Sequence, residues 1–370
     1  MAVPFVALQA QYVALRPEIE SVVAEVFESQ KFVGGPFVAG FEKAMGAYLG
    51  GAHCVGVASG TDALILALRA AGIAPGDEVI TSTFTFFATA GAVANAGATP
   101  VFADIDPDTL NIDAAQVESK ISQKTKAVIP VHLFGQCADM ASLLDLAEKH
   151  GLRLIEDCAQ ALGARHKDRP AGTLGHAAAV SFYPTKNLGG AGDGGMVITH
   201  DAALAERVRL LRNHGQNDAY RHAAVGTNSR LDALQAAVLN VKLKHLDVWN
   251  DQRRARAAYY SGQLANVPEI TTPSEQKGNY HVYHVYAIRI PERDAALDSL
   301  RAKGIGCAVF YPVPLHRQPC FAHLGYDQDA CPVASQACSE TLALPIYPEL
   351  TPEQQDEVVT ALKEHIAALP

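Results

Sequence analysis

The stretch Ala178-Ala179-Val180-Ser181-Phe182-Tyr183-Pro184-Thr185-Lys186-Asn187-Leu188-Gly189-Gly190-Ala191-Gly192-Asp193-Gly194-Gly195-Met196-Val197-Ile198-Thr199 sets two apolar runs on either side of a glycine-rich turn. Ala178 to Phe182 and Met196 to Thr199 read as strands. The first delivers a hydroxyl, an aromatic ring and then one lysine into a turn so rich in glycine that another group must approach its backbone closely. Further runs of the same kind stand at Cys54 to Val57, Glu78 to Thr81, Pro100 to Ala103, Ala127 to Val131 and Leu152 to Glu156. Helical patterns such as Ala63 to Ala70 and Ser142 to Glu148 separate most of them. Seven strands in this alternation predict an α/β fold on a seven-stranded, mainly parallel sheet. Helices then cover both faces, so a ligand site belongs outside the carboxyl ends of the strands.

On the amino-terminal side, Glu18 to Phe27 places Ile19, Val22, Val23, Val26 and Phe27 on one face at the 3.6-residue period, and Pro17 stands where a first helical turn tolerates it. On the carboxyl-terminal side, Ser229 to about Leu264 reads as one long connecting helix, with Lys242, Lys244, Arg253, Arg254 and Arg256 solvated. Val282 to Ile290 then reads as a strand, Asp294 to Lys303 as a helix closed by Gly304, and Pro352 to Ala367 as a final helix. The expected division is a large domain over 1–245 and a smaller α+β domain over 246–370.

The 370 residues are 49% hydrophobic and 19% charged, an ordinary globular mix. A formal charge of −9, with no basic run longer than Arg253-Arg254, leaves no footprint for nucleic acid. Seven cysteines without Cys-x-x-Cys spacing suggest neither a disulfide framework nor a zinc knuckle, and point to a reducing cytoplasm. The start Met1-Ala2-Val3-Pro4-Phe5 has no basic leader. Ile80 to Ala103 carries no charge over 24 residues, yet its Thr, Ser, Gly, Asn95 and Pro100 favour buried strand, turn and helix over a membrane span.

Four strand-end motifs carry chemistry. Ala58-Ser59-Gly60-Thr61-Asp62-Ala63 opens a helix whose N–H groups and dipole suit a phosphate, or is only a helix cap. Ile155-Glu156-Asp157-Cys158-Ala159-Gln160 ends a strand in two carboxylates that point to opposite sides of the sheet. The one facing the site could keep a pyridinium nitrogen protonated, bind a metal or cap the next helix. Lys186 could form a Schiff base if burial and neighbours lower its pKa, or stand as a solvated loop lysine. Thr83-Phe84-Thr85-Phe86-Phe87 offers a ring for stacking, and alternation sends Phe84 and Phe86 one way and Phe87 the other. Gly190, Gly192 and Gly195 satisfy G-x-G-x-x-G but lead into a strand, so a dinucleotide fingerprint fails its context. His281 and His284 fall on opposite faces of a strand pattern, so no metal is expected.

A phosphate nest, a strand-end carboxylate, an aromatic plate and a lone lysine are together what pyridoxal 5′-phosphate requires. The chain also resembles the DegT/DnrJ/StrS family of sugar aminotransferases, which have the aspartate-aminotransferase fold. The likeness runs from Leu8-Gln9-Ala10-Gln11-Tyr12 through Gly76-Asp77-Glu78-Val79-Ile80, Pro130-Val131-His132-Leu133-Phe134-Gly135-Gln136 and Asn228-Ser229-Arg230-Leu231-Asp232 to Tyr311-Pro312-Val313-Pro314. The resemblance implies Lys186 as the Schiff-base lysine, Asp157 on the pyridinium nitrogen and Gln160 near the ring hydroxyl. It implies Phe86 and Ala159 against the two ring faces, and Gly60, Thr61 and Ser181 on the phosphate, joined by Asn228 from the partner of a homodimer with shared active sites.

The expected reaction moves an amino group from L-glutamate, released as 2-oxoglutarate, through pyridoxamine 5′-phosphate to a nucleotide-linked keto sugar, for amino-sugar, surface-glycan or secondary-metabolite biosynthesis. Arg230 is the candidate for a carboxylate, with Tyr311 and His316 as sugar contacts. Asn213-His214-Gly215-Gln216, with Tyr220 and His222, resembles members acting on the third sugar carbon more than the fourth. Leu162 and Phe310 stand where many relatives carry His. The alternatives are a non-catalytic regulatory protein on the same fold and a sugar dehydratase, in which His usually replaces the Schiff-base lysine.

Overall fold

A computed structural model describes residues 2–369, so Met1 and Pro370, the outer ends of the two expected domains, lie outside the described residues. The central sheet contains β1 (His53–Val57), β2 (Glu78–Ser82), β3 (Thr99–Ala103), β4 (Thr125–Ile129), β5 (Arg153–Asp157), β6 (Ala177–Ser181) and β7 (Gly195–Thr199), within a residue or two of the expected runs. Their order is β1-β7-β6-β5-β4-β2-β3, parallel except that β7 runs antiparallel to both neighbours. The carboxyl ends of β1, β2, β4, β5 and β6 therefore share one edge.

Side-chain alternation splits the core in two. Cys54, Ile80, Val128, Leu154, Val180 and Ile198 point to one face, packed by α2 (Gly35–Tyr48), α5 (Ala114–Lys120), α6 (Met140–His150) and α8 (Ala233–Leu243). Val55, Val57, Val79, Ile129, Ile155 and Val197 point to the other, under α3 (Gly60–Ala70), α4 (Ala88–Asn95) and α7 (Ala202–Arg212). The uncharged stretch Ile80 to Ala103 is β2, α4 and β3, mostly buried in this core. Among the described residues no helix is long and apolar enough to cross a membrane.

A separate apolar cluster gathers Tyr260, Tyr286, Ile288, Leu300, Leu342, Leu344, Val358 and Leu362. They come from α9 (Leu246–Leu264), β8 (Tyr286–Arg289), α10 (Arg293–Ala302), β9 (Thr341–Leu344) and α12 (Pro352–Ala367). Val3 joins this cluster and bridges to Ile305, and α11 (Pro332–Glu340) packs beside β8. Thr351 and Gln354 close a reciprocal cap at the start of α12.

Four expectations are corrected. Helix α1 (Leu8–Ser29) begins ten residues before Glu18 and carries Pro17 inside, while Arg16 and Tyr12 reach across the proline turn to Glu20 at 2.7 and 3.1 Å. The long connector is two helices, α8 and α9, parted at Lys244–His245. Two of its basic residues are buried: Lys242 donates to the Gly189 carbonyl, and Arg253 to the carbonyl of Ile346 at 2.8 Å. A long basic side chain can follow its apolar stem inward wherever carbonyls await its head. The strand expected from Val282 starts only at Tyr286, because His281 to Val285 run as irregular backbone.

Candidate active site

A cavity of about 520 Å³ opens at the shared carboxyl edge. Lys186 enters it from the turn after β6, where its N–H donates to the Tyr183 carbonyl at 2.9 Å and Gly190 N–H to the Phe182 carbonyl at 2.7 Å. A Cβ on Gly189 would sit 2.1 Å from the Pro184 oxygen, so the turn demands glycine there. Burial of the Lys186 amine pulls its pKa from the ordinary 10.5 to about 8, against the opposing charge of Asp157. This lysine is no solvated loop residue.

The two carboxylates ending β5 face opposite ways, as alternation requires. Glu156 turns into the core on the α6 side. Its oxygens accept Nε2–H of His132 and the N–H groups of Gly172, Leu174 and Gly175, all at 2.7 to 2.8 Å. Because His132 Nδ1 accepts Ala138 N–H, Nε2 carries the hydrogen. Burial pushes the Glu156 carboxyl up, but His132 and the N–H groups outweigh it and leave it below the usual glutamate value. The ligand atoms of His132, Glu156 and Cys158 lie within 4.8 Å of one another, yet the Glu156 acceptor sites are already taken by N–H donors.

Asp157 turns into the cavity instead. It accepts from Thr89 Oγ1 at 2.8 Å and Ala159 N–H at 3.1 Å. Burial raises its pKa above the usual aspartate value, only partly offset by Thr89, Ala159 and Lys186. A buried carboxylate with two hydrogen bonds and spare acceptor capacity suits a protonated ring nitrogen.

The start of α3 supplies the anion end. Ser59 Oγ caps Asp62 N–H at 3.1 Å and leaves the N–H groups of Gly60 and Thr61 without partners among the described residues. A Cβ on Gly60 would lie 2.6 Å from Ser181 Cβ, so glycine is what lets Ser181 close against this N-terminus. Asp62 also accepts from Ser229 Oγ at 2.7 Å, which ties the Asn228-Ser229-Arg230 segment to the same helix start.

The aromatic motif divides as the alternation expects, with Phe84 and Phe86 both against Tyr311, at 5.9 and 6.4 Å between ring centroids, and Phe87 elsewhere. Phe84 is buried beside Val131 and Phe134, Phe86 is 59% exposed at the cavity, and Phe87 stacks on Phe321. Ala159, Gln160 and Tyr311 also line the cavity, with Gln160 Nε2 donating to Tyr311 Oη at 2.9 Å.

Of the expected site residues, Lys186, Asp157, Ala159, Gln160, Gly60, Thr61, Ser181, Phe86 and Tyr311 come together here. Asn228, Arg230 and His316 do not line the cavity: Asn228 is exposed, Arg230 donates to Asn213 Oδ1 at 2.8 Å, and His316 is buried on Thr83 Oγ1 at 2.7 Å. Sequence reasoning missed Thr89, Thr85, Tyr183 and His284 as site residues. Tyr183 stands in the quoted lysine turn, whereas Thr89 and His284 arrive only through folding. The amine, the carboxylate, the glycine-dependent anion cradle and the exposed ring fit pyridoxal 5′-phosphate.

A model of the DegT/DnrJ/EryC1/StrS aminotransferase family matches residues 14–363. A pleiotropic regulatory protein of Geobacillus stearothermophilus is 52% identical over 366 residues, 98% of either chain. A UDP-N-acetyl-3-dehydro-alpha-D-glucosamine 3-aminotransferase of Acidithiobacillus ferrooxidans is 46% identical, over 98% of this chain and 97% of that one. The crystal structure of S. venezuelae DesV in complex with a ketimine intermediate is 44% identical over the full length of both chains, with a TM-score of 0.97.

Proposed function

The chain belongs to the DegT/DnrJ/EryC1/StrS aminotransferase family, and on that premise we propose that it moves the amino group of L-glutamate onto the third carbon of a nucleotide-linked keto sugar, as a homodimer. It is a pyridoxal phosphate-dependent aminotransferase. The observation that carries the proposal is one cavity lined by Lys186, Asp157, the start of α3 and Phe86.

When bound, the cofactor supplies an electrophilic carbonyl and an electron-accepting ring. Lys186, its amine near pKa 8, would hold that carbonyl carbon and, when free, would move the proton at the donor's α-carbon. Asp157 would hold the proton on the ring nitrogen, with Thr89 and Ala159 N–H fixing the carboxylate. Gly60, Thr61 and Ser181 would hold the phosphate, Phe86 and Ala159 would flank the ring, and Gln160 would meet its hydroxyl. Tyr311, tied to Gln160, faces the sugar.

Amination at the third carbon is supported by the 3-dehydro substrate in the name of the Acidithiobacillus relative. The exposed Val13, Phe27 and Val33 support a homodimer, since a monomer would leave these apolar groups in water. Asn228, exposed on its own chain, would then complete the partner's phosphate site, and Arg230 would meet a carboxylate. The regulatory name of one relative is no obstacle, because Lys186, Asp157 and Gln160 are all in place.

The test is a visible absorption spectrum before and after glutamate, with Lys186→Ala as control, followed by turnover of 3-keto and 4-keto nucleotide sugars. A long-wavelength band that glutamate converts to the shorter-wavelength amine form, absent in the control, upholds the assignment. A band indifferent to every amino donor ends it. Faster turnover of the 4-keto sugar would move the proposed position.

A further inference from the structure

His284 lines the same cavity as Lys186, yet the steps above leave it idle. Its tautomer follows from a chain of hydrogen bonds. Asn250 Nδ2 donates to the Leu162 carbonyl at 3.2 Å, so Asn250 turns Oδ1 toward Asn187 and accepts from Asn187 Nδ2 at 2.7 Å. Asn187 Nδ2 also donates to the Val282 carbonyl at 3.2 Å. Carbonyls only accept, so both amides are oriented, and Asn187 Oδ1 is left facing His284 Nδ1 at 3.0 Å. The hydrogen of a neutral His284 ring must therefore lie on Nδ1, and Nε2 keeps its lone pair. Nε2 has no partner among the described residues. Burial, then the charges of Lys186 and Arg253, hold the ring well below the ordinary histidine pKa, so it stays neutral.

Lys186 has the complementary need. Among the described residues it is the one lysine or arginine lining the cavity, and its Nζ makes no hydrogen bond to any of them. We propose that His284 is a positioning residue for Lys186: in the cofactor-loaded site its unprotonated Nε2 accepts a hydrogen bond from the lysine amine once the amino donor has displaced that amine. The amine is thereby held in the cavity with its own lone pair free to take up a proton. Asn187 and Asn250 set the tautomer from behind, so the turn that carries Lys186 also prepares its acceptor. This inference rests on the aminotransfer reading.

Two measurements test it. In protein labelled with ¹⁵N-histidine, two-dimensional NMR separates the two neutral tautomers, and the His284 signals are those missing from His284→Gln. The expected pattern is hydrogen on Nδ1 and a bare Nε2; hydrogen on Nε2 overturns the proposal without reference to activity. The second measurement is the rate at which glutamate converts the bound cofactor in His284→Gln, His284→Asn and His284→Ala. Gln places its amide near the Nε2 position, whereas Asn reproduces only the link to Asn187. Because the amine gains charge as it takes up the proton, loss of a hydrogen bond to that developing charge predicts Asn and Ala about 10- to 100-fold slower, with Gln within roughly threefold of wild type and the KM for glutamate little changed. Rescue by Asn equal to that by Gln assigns His284 a structural role and overturns the proposal. If wild type fails with every amino donor, the aminotransfer reading falls and the inference falls with it; a wild type that turns over with hydrogen on Nε2 sinks the inference alone.

Discussion

Glu156 and Asp157 are chain neighbours, both buried, and the two sides of the sheet treat them oppositely. On the Glu156 side four N–H donors converge, burial is overcome and the carboxyl sits below its usual pKa. On the Asp157 side two donors leave the carboxylate short of partners, burial prevails and the pKa rises. A carboxylate whose partners are all protein groups holds the fold together. One whose partners are incomplete is poised for something that is not protein.

The largest effect that would break this comparison lies on the open side. Lys186→Ala should lower glutamate half-reaction rates by at least about 10⁴-fold, since nucleophile and proton carrier are lost together. Melting temperature should hold or rise, because a buried amine with a lowered pKa is removed. Asp157→Asn should cost about 10³-fold by the same assay, with the protein at least as stable as wild type near neutral pH. In that variant the Lys186 amine should also titrate below about 8, because the Asp157 carboxylate is what opposes the burial effect. A destabilised Asp157→Asn would show that the carboxylate is structural after all.

Glu156→Ala should do the reverse. It strands three backbone N–H groups and His132 without an acceptor, a loss of about 3–5 kcal/mol, while folded molecules keep their rate within a few-fold. Denaturant unfolding beside rate per folded active site separates the two effects.

The slopes with pH sharpen the same contrast. Asp157 has a folded pKa above its unfolded value, so its proton favours the native state, and stability falls as pH rises through that raised value. Glu156 has a folded pKa below its unfolded value, so its stabilisation is present above the unfolded value of about 4.3 and lost as pH falls through the folded one. The melting-temperature gain of Asp157→Asn should therefore shrink toward acid pH, and so should the deficit of Glu156→Gln. A gain or deficit that grows in acid would reverse the assignment.

Much of this was legible in the chain, and the limits of legibility are physical. The seven strands follow from apolar runs bounded by turns, and the opposite faces of Glu156 and Asp157 follow from the period of a strand. Lys186 could be picked out because its glycine-rich turn is local. Thr89 and His284 could not, since each reaches the cavity only after distant segments pack. Pro17 misled because a proline reads as a helix start, although here α1 already runs from Leu8. The solvated reading of Lys242 and Arg253 failed because carbonyls remote in sequence bind their head groups.

The smallest expected effect is that of Phe86, in another near pair, Phe84 and Phe86, which both lie against Tyr311 yet differ in exposure. Phe84 is 1% exposed and packs edge-on against Phe134, whereas Phe86 shows 59% of its surface at the cavity. Phe84→Ala should cost about 3–5 kcal/mol of stability, the usual loss for a buried aromatic. Phe86→Ala should leave the unfolding midpoint nearly unmoved, because water already reaches the ring. Its effect should fall on the cofactor: a stacking contact worth about 0.5–1.5 kcal/mol predicts affinity weaker by roughly 2- to 13-fold, read by equilibrium titration of the visible band. A large stability loss in Phe86→Ala with unchanged cofactor affinity would place that ring in the core beside Phe84, and would remove the aromatic plate from the proposed site.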